Sequence, residues 1–372
     1  MLSSENMANS GEKSDFFQKI AVRESDLKSV VESLLSSLSA KQKLVLTSRF
    51  GIGNGEPKTL EAIGKSLNVT RERIRQIEAD AVKALRKSER KKYAGDIVSL
   101  ANDITKEYGG IISIGRLTKE LLSRHSGKSE HSPLEARVTE IIFLLAGLRK
   151  MKSNRETVDA WTSSDFDKKY FQAAVLELEA IFDATKRILN LEEILKKLDH
   201  SDFKNRFPQL KPEHVVSFLE VSKKFDRNVF DDCGKSKWPL IKPRGVREKA
   251  TLVLLKKNHP LHFREIAKFI EEMKLSEKKV HPQTVHNELI RDKRFVLVGR
   301  GTYALREWGY EEGTVKDVIV NLLKSAGGFL DKEKIYQGVF KKRKVKKATV
   351  AVNLADKKLF EKREGGYQLK TS

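Results

Sequence analysis

Hydrophobic positions between residues 60 and 85 recur at the spacing of an α-helix and predict two helices joined by a tight turn. Leu60, Ile63 and Leu67 give the first helix one apolar face. Thr70 is a favoured residue for the N-terminal cap of the second helix. The buried stripe of that second helix is predicted to contain Ile74, Ile77, Ala81 and Leu85. The pattern therefore predicts a helix-turn-helix.

The chain beyond residue 92 repeats one arrangement of elements with a loose period of about 70 residues. Each repeat begins with an apolar helix and turns at a segment marked by Gly or Pro. A small helix, a longer helix and a β-like stretch follow. Three helices followed by a two-stranded wing are typical of a winged helix. The predicted repeats span residues 95–165, 168–243, 245–310 and 313–372.

The last two repeats show this plan most clearly. Alternating runs at 295–305 and 359–369 flank a turn that contains Gly, which is a hairpin signal. The first two repeats are less regular, and a generic helical array stays open for them. The long third helices are predicted at residues 134–145, 212–225, 282–291 and 346–356, and the end strands of the first two repeats at 156–161 and 238–241.

The predicted fold class is mainly α. A helix-turn-helix bundle at residues 24–92 follows a flexible leader at residues 1–23. Tandem winged-helix-like repeats with small β-hairpin wings make up the rest of the chain. The most informative side chains of the chain lie on the first turns of the second helix of the helix-turn-helix.

Those first turns expose side chains that can read the edges of base pairs. In the major groove Arg can pair with guanine, Gln with adenine, and Glu can accept from cytosine. A helix-turn-helix docks by presenting the N-terminal residues of its second helix to the bases. A charged surface helix is the alternative. The candidate DNA contacts here are Arg71, Glu72, Arg73, Arg75 and Gln76, with Thr59 and Thr70 at the two helix starts.

The charge balance supports a polyanionic partner. The 372 residues include 73 Lys and Arg against 51 Asp and Glu, a net charge of +22. Double-stranded DNA is the first candidate, since each neutralised phosphate releases counterions. A solvated, lysine-rich surface is the alternative. The densest basic run precedes the last predicted third helix, and its candidate phosphate contacts are Lys341, Lys342, Arg343 and Lys344.

The helix-turn-helix segment resembles region 4 of the sigma-70 family of bacterial transcription initiation factors. Residues 38–52 look like the first helix of that region, including Arg49, Phe50 and Gly51 at its end. Residues 69–78 (VTRERIRQIE) match the family signature almost letter for letter. The resemblance implies that the five α-helical contacts named above bind a −35-type promoter element. It also implies docking on the flap of RNA polymerase core.

The chain departs from that family in one respect. In the family this module ends the chain, whereas here it begins it. The segment before it is too short for the aromatic-rich region that melts promoter DNA. We therefore expect that the chain does not act as a self-sufficient initiation factor.

The third repeat resembles a second family, the HARE-type winged helix, which also occurs in the delta subunit of RNA polymerase and in some chromatin and restriction proteins. The resemblance rests on residues 261–267, 280–285 and 299–305. It implies association with DNA or with polymerase. From the residues themselves, Gln283, Thr284, His286 and Asn287 are expected to face outward on the third helix, with Arg300 in the wing.

The remaining signals indicate binding rather than catalysis. The single cysteine, Cys233, cannot form an internal disulfide, and no apolar run reaches the roughly 18 residues of a membrane span. We expect a cytoplasmic, nucleoid-associated protein that does not contact membranes. The histidine pair His259 and His262 lacks the cysteines or carboxylates of a metal site. No metal, cofactor or small-molecule substrate is expected, and the protein is not expected to be an enzyme.

The expected function is that of a sequence-specific, DNA-binding transcription factor. It would recognise a −35-type element and associate with RNA polymerase. The alternative is a DNA-binding subunit of a restriction system or of another nucleic-acid-processing system.

Overall fold

The computed structural model describes residues 27–52, 55–89, 94–127, 132–310, 313–343 and 345–370. These residues are mainly helical with small antiparallel sheets, which confirms the predicted fold class. The predicted leader lies outside the described residues. Two compact units are formed: the first runs to Asp226 and includes Cys233–Ser236, and the second contains Arg227–Asp232 and Lys237–Ser372. Within the described ranges, no helix has the length and apolar character of a bilayer span.

In the part of the chain that the structure describes, the N-terminal bundle contains four helices. Ser39 begins the second with a capping box, because its side chain and that of Gln42 each accept from the other's backbone N–H. Gly51 ends the same helix in the left-handed region, with φ of 63°. The predicted apolar stripe of the fourth helix is buried. The helices are α1 (Leu27–Leu35), α2 (Ala40–Phe50), α3 (Leu60–Ser66) and α4 (Arg71–Lys87).

The first repeat has the order helix, strand, helix, helix, strand, strand. Its last strand lies in the centre of a three-stranded antiparallel sheet, where Trp161 pairs with Ile112 on one side and Lys150 on the other. That strand is shorter than predicted, since residues 152–159 form a loop. The elements are α5 (Gly95–Glu107), β1 (Ile111–Ser113), α6 (Ile114–Ser126), α7 (Pro133–Leu145), β2 (Arg149–Met151) and β3 (Ala160–Thr162).

The second repeat follows a similar plan with one extra short helix. A single bridge between Leu189 and Cys233 replaces the first strand pairing. The strand expected at 238–241 is wrong: those residues form a turn, and Pro239 lacks the N–H that a strand ladder needs. The third helix ends at Val221 instead of residue 225. The elements are α8 (Lys168–Thr185), α9 (Leu191–Asp199), α10 (Asp202–Arg206), α11 (Pro212–Val221), β4 (Phe225–Arg227) and β5 (Cys233–Lys235).

The third repeat belongs to the second unit and agrees closely with its predicted elements. Its third helix covers Pro282–Arg291, as the sequence predicts. The last strand again lies between the other two strands of the sheet. The elements are α12 (Val246–Lys257), β6 (Leu261–His262), α13 (Phe263–Glu272), α14 (Pro282–Arg291), β7 (Phe295–Gly299) and β8 (Thr302–Leu305).

The fourth repeat has the same strand order, and its hairpin lies where the sequence predicts it. Its third helix is shorter than the predicted 346–356. The elements are α15 (Val315–Ser325), β9 (Phe329–Asp331), α16 (Lys332–Lys342), α17 (Lys347–Leu354), β10 (Phe360–Arg363) and β11 (Gly366–Leu369).

In the first unit, α7 packs against the helix-turn-helix bundle, so that the bundle and the first repeat have one hydrophobic core. Arg86 of α4 donates to the carbonyl of Leu144 at 2.7 and 3.2 Å. Arg137 of α7 binds the carboxylate of Glu56, in the loop before α3, at 2.8 Å. The third helix of this repeat is therefore used for packing within the protein. The shared core includes Leu34 and Leu35 of α1, Leu85 of α4, and Ile142 and Phe143 of α7.

Candidate nucleic-acid interface

The turn between α3 and α4 is held by local hydrogen bonds. The Thr59 hydroxyl accepts from the N–H of Ala62 at 3.1 Å and starts α3. The Thr70 hydroxyl accepts from the N–H of Arg73 at 3.2 Å and starts α4. Both threonines are exposed, and each hydroxyl hydrogen stays available to a phosphate oxygen. Asn68 supplies the left-handed residue of the turn, with φ of 52°.

The side chains on the first turns of α4 are exposed and linked in pairs one turn apart. Glu72 accepts from Arg75 through Nε at 2.9 Å and Nη2 at 2.6 Å. Arg73 donates to the Gln76 amide oxygen at 3.1 Å. The Arg75 hydrogen bond lowers the pKa of Glu72, so that its carboxylate stays ionised. The residues exposed on these turns are Arg71, Glu72, Arg73, Arg75 and Gln76.

This pairing orders the side chains but leaves them able to exchange their partners for DNA. Ion pairs on an exposed surface contribute little to stability, because water and salt screen them. The guanidinium of Arg75 can therefore exchange Glu72 for the acceptors of a base edge at small cost. Such an exchange keeps the helix itself unchanged, since the caps and the buried stripe hold α4 in place.

A second group of base-competent side chains lies on α14 of the third repeat. Gln283, Thr284 and Asn287 are exposed there, and the Gln283 amide donates to the Asn287 side-chain oxygen at 3.2 Å. Arg300 is exposed in the turn between β7 and β8. The helix and the wing of this repeat thus each present polar side chains at the positions that the sequence indicated.

His286 does not face outward as expected. Its Nδ1 lies 3.0 Å from the hydroxyl oxygen of Tyr303. Its ring also packs on Phe263, with 4.6 Å between the ring centroids. An imidazole between two aromatic side chains gains packing and a hydrogen bond that it would lose by turning to solvent.

The basic run at the end of α16 divides between two environments. Lys341 is exposed and Lys342 is half-buried, whereas Arg343 is only 5% exposed. The Arg343 guanidinium donates to the backbone carbonyls of Leu297 and Gly313. The expectation that Arg343 binds phosphate is therefore replaced by a structural role, since its donors face carbonyl groups inside the second unit. Lys344 lies outside the described residues.

Two substitutions in this run should affect different properties, one the stability of the second unit and the other the salt dependence of DNA binding. Arg343→Ala leaves two carbonyls without their donor and should destabilise the second unit by about 1–3 kcal/mol. Lys341→Ala should leave stability unchanged and reduce the log–log salt slope of DNA binding by roughly 0.9. Thermal unfolding and binding across a salt series distinguish the two variants. A normal melting temperature for Arg343→Ala would contradict its structural role.

Two family models match the chain. Residues 34–87 match the model for sigma-70 region 4. Residues 245–308 match the HARE-HTH model, whose description names a helix-turn-helix domain of ASXL and restriction endonuclease proteins. Both resemblances that the sequence indicated are thus confirmed.

Curated relatives match a short part of the chain. The chain is 55% identical over 62 residues to the RNA polymerase sigma factor RpoD of Helicobacter pylori, which is 16% of this chain and 9% of that protein. It is 46% identical over 82 residues to sigma factor SigA1 of Synechococcus elongatus, 22% of this chain and 18% of the relative. Sigma factor SigA of Clostridium acetobutylicum is 47% identical over 70 residues, 19% of this chain and 18% of the relative. The chain spans less than a fifth of these relatives.

Proposed function

We propose that this protein is a sequence-specific, DNA-binding transcription factor that recognises a −35-type promoter element through α4. The observation that supports this most is the group of exposed base-competent side chains from Arg71 to Gln76 on a capped helix. The match of residues 34–87 to the model for sigma-70 region 4 also supports the proposal.

The other repeats add affinity in this proposal. Gln283, Thr284, Asn287 and Arg300 form a second candidate DNA surface on the third repeat. Lys341 and Lys342 are candidate phosphate contacts of the fourth. Lysine acts on phosphate as a point charge and carries no sequence information there. The predicted repeat boundaries, which treat each repeat as a domain, are part of the same proposal.

Association with RNA polymerase is proposed from the same relatives, which are named RNA polymerase sigma factors. We place the contact in the helix-turn-helix bundle and, more specifically, on the flap of the polymerase core. The test is co-purification of tagged full-length protein with polymerase from a native extract, repeated with the flap deleted. Loss of polymerase only in the second case supports the flap assignment.

Direct base reading is tested by selection from random duplexes. We expect the wild-type chain to enrich one sequence, and Arg75→Ala to bind that sequence roughly tenfold to a hundredfold more weakly because a bidentate base contact is lost. Binding to an unrelated duplex should change far less. Arg264→Ala, on α13 of the third repeat, is a matched control that should keep the preference. A wild-type selection without enrichment contradicts the proposal.

A targeting role in a nucleic-acid-processing system is the second candidate function. It is favoured by the description of the family model that matches residues 245–308, which names restriction endonucleases. In the same co-purification experiment, recovery of a nuclease in place of polymerase supports this candidate.

A further inference from the structure

A basic cavity is lined by residues of the helix-turn-helix bundle and of the hairpin of the first repeat. It encloses about 320 Å³ within the first unit. Five of the residues around it belong to the bundle, and the sixth comes from the loop that follows β2. The lining residues are Arg49, Thr59, Leu60, Glu61, Arg71 and Lys152.

The charges around this cavity favour an anion. Glu61 is its one lining acid and lies 3.3 Å from the ammonium group of Lys65. Arg49 is held in place, because its Nη1 donates to the carbonyl of Lys58 at 2.9 Å and its Nε lies 3.5 Å from a carboxylate oxygen of Glu78. Arg71 and Lys152 are exposed, and no other described residue forms an ion pair with either. Two cations, Arg71 and Lys152, thus line the same space, and Glu61 is the one carboxylate among the lining residues.

The hairpin also follows α4 beyond this cavity. A neighbouring groove of about 630 Å³ is lined on one side by Arg75, Ala79 and Val82 of α4. On the other side it is lined by Lys150 and Trp161 of the hairpin, together with Glu140 and Leu144 of α7. The hairpin therefore lies across a groove from the helix that carries the candidate base contacts.

The loop that carries Lys152 is braced. The backbone N–H of Ser153 donates to the carboxylate of Asp159 at 2.6 Å. Lys223, just beyond α11, donates to the Ser153 hydroxyl at 2.8 Å and to the Asn154 carbonyl at 2.6 Å. Little conformational freedom remains to be lost when this loop contacts a ligand, which favours binding.

We propose that the β2–β3 hairpin is the wing of the helix-turn-helix bundle, and that Lys152 binds a backbone phosphate of the duplex that α4 reads. The inference rests on the proposed function. The first repeat buries its own third helix α7 against the bundle, and its hairpin lines the same groove as α4. Thr59 and Arg71, which are candidate DNA contacts, line the same cavity as Lys152. A DNA backbone that contacts the first two residues can therefore also reach Lys152.

The first test is the salt dependence of binding by the full-length chain. Lys152→Ala should reduce the log–log salt slope by roughly 0.9 and weaken the selected and an unrelated duplex equally. Lys119→Ala is the matched control, because Lys119 is an exposed lysine on α6 that lines neither groove. An unchanged slope for Lys152→Ala overturns the inference.

The second test locates the contact. Cys233 is the one cysteine of the chain and is buried, so Lys152→Cys can be labelled selectively with an iron chelate that cleaves nearby DNA backbone. Cleavage at a fixed position flanking the selected site supports the wing, and scattered cleavage overturns it. If the wild type enriches no sequence, the proposed function fails. If the wild type enriches a sequence but Lys152→Ala keeps the full salt slope, the proposed function stands and only the wing assignment fails.

Discussion

Replacing Phe143 by alanine is expected to lower the free energy of unfolding of the first unit by about 3–5 kcal/mol. The Phe143 side chain is fully buried in the core that α7 shares with the helix-turn-helix bundle. Its ring meets that of Trp161 edge to face, with 5.5 Å between centroids and 65° between planes. The truncation removes this contact and leaves a cavity that a close-packed interior cannot fill.

Trp161 can report the effect. The other two tryptophans, Trp238 and Trp308, belong to the second unit and can be replaced by phenylalanine. Urea unfolding followed by the fluorescence of Trp161 then measures the first unit. Leu176→Ala is the control, because that leucine is 62% exposed and should change stability by no more than about 0.5 kcal/mol. Equal midpoints for the two variants would contradict the shared core.

The helix-turn-helix was predictable because the signals that form it are local. Thr59 and Thr70 cap helices within three residues of themselves, and the apolar stripe of α4 follows helical spacing. The same holds for α14, where Pro282 at the first helical turn marks the start. In these segments the capping residues and the apolar periodicity indicate the same first residue for each helix.

The positions that sequence reasoning missed depend on contacts between distant segments. Arg343 sits in a run of basic residues that is typical of a phosphate site, yet its guanidinium meets a carbonyl 46 residues away. Lys152 carries no motif, and its relevance comes from lying beside α3 and α4. Neither arrangement leaves a periodic signal in the sequence.

The second-repeat error has a related cause. An aromatic residue followed by Pro and two apolar residues predicted a strand at 238–241, but pairing decides which segment becomes a strand. In the structure Cys233–Lys235 forms the strand β5 instead, and Cys233 also pairs with Leu189. Single-sequence patterns do not record which partner a strand finds.

Gly64→Val is expected to destabilise the helix-turn-helix by about 3 kcal/mol, the upper end for overpacking a tight contact. A Cβ atom at Gly64 would lie 2.7 Å from the carbonyl oxygen of Val69 and 3.5 Å from the backbone nitrogen of Arg71. The first distance is shorter than a Cβ contact allows and its partner is backbone, so the turn must move to make room. The Gly64 carbonyl also accepts from the N–H of Val69 at 3.0 Å, and that bond closes the turn.

The same substitution should abolish the sequence preference of DNA binding, since Val69, whose carbonyl the new side chain displaces, lies two residues before the start of α4. Gly115→Val is the matched control: Gly115 is also a helical glycine, at the second position of α6, and a Cβ there meets open space. Valine has a higher helix propensity than glycine, so this control should keep or slightly raise stability. The measurements are unfolding of the first unit and binding to the selected and an unrelated duplex. If Gly64→Val binds with wild-type preference, the close approach of α3 to the turn does not position α4.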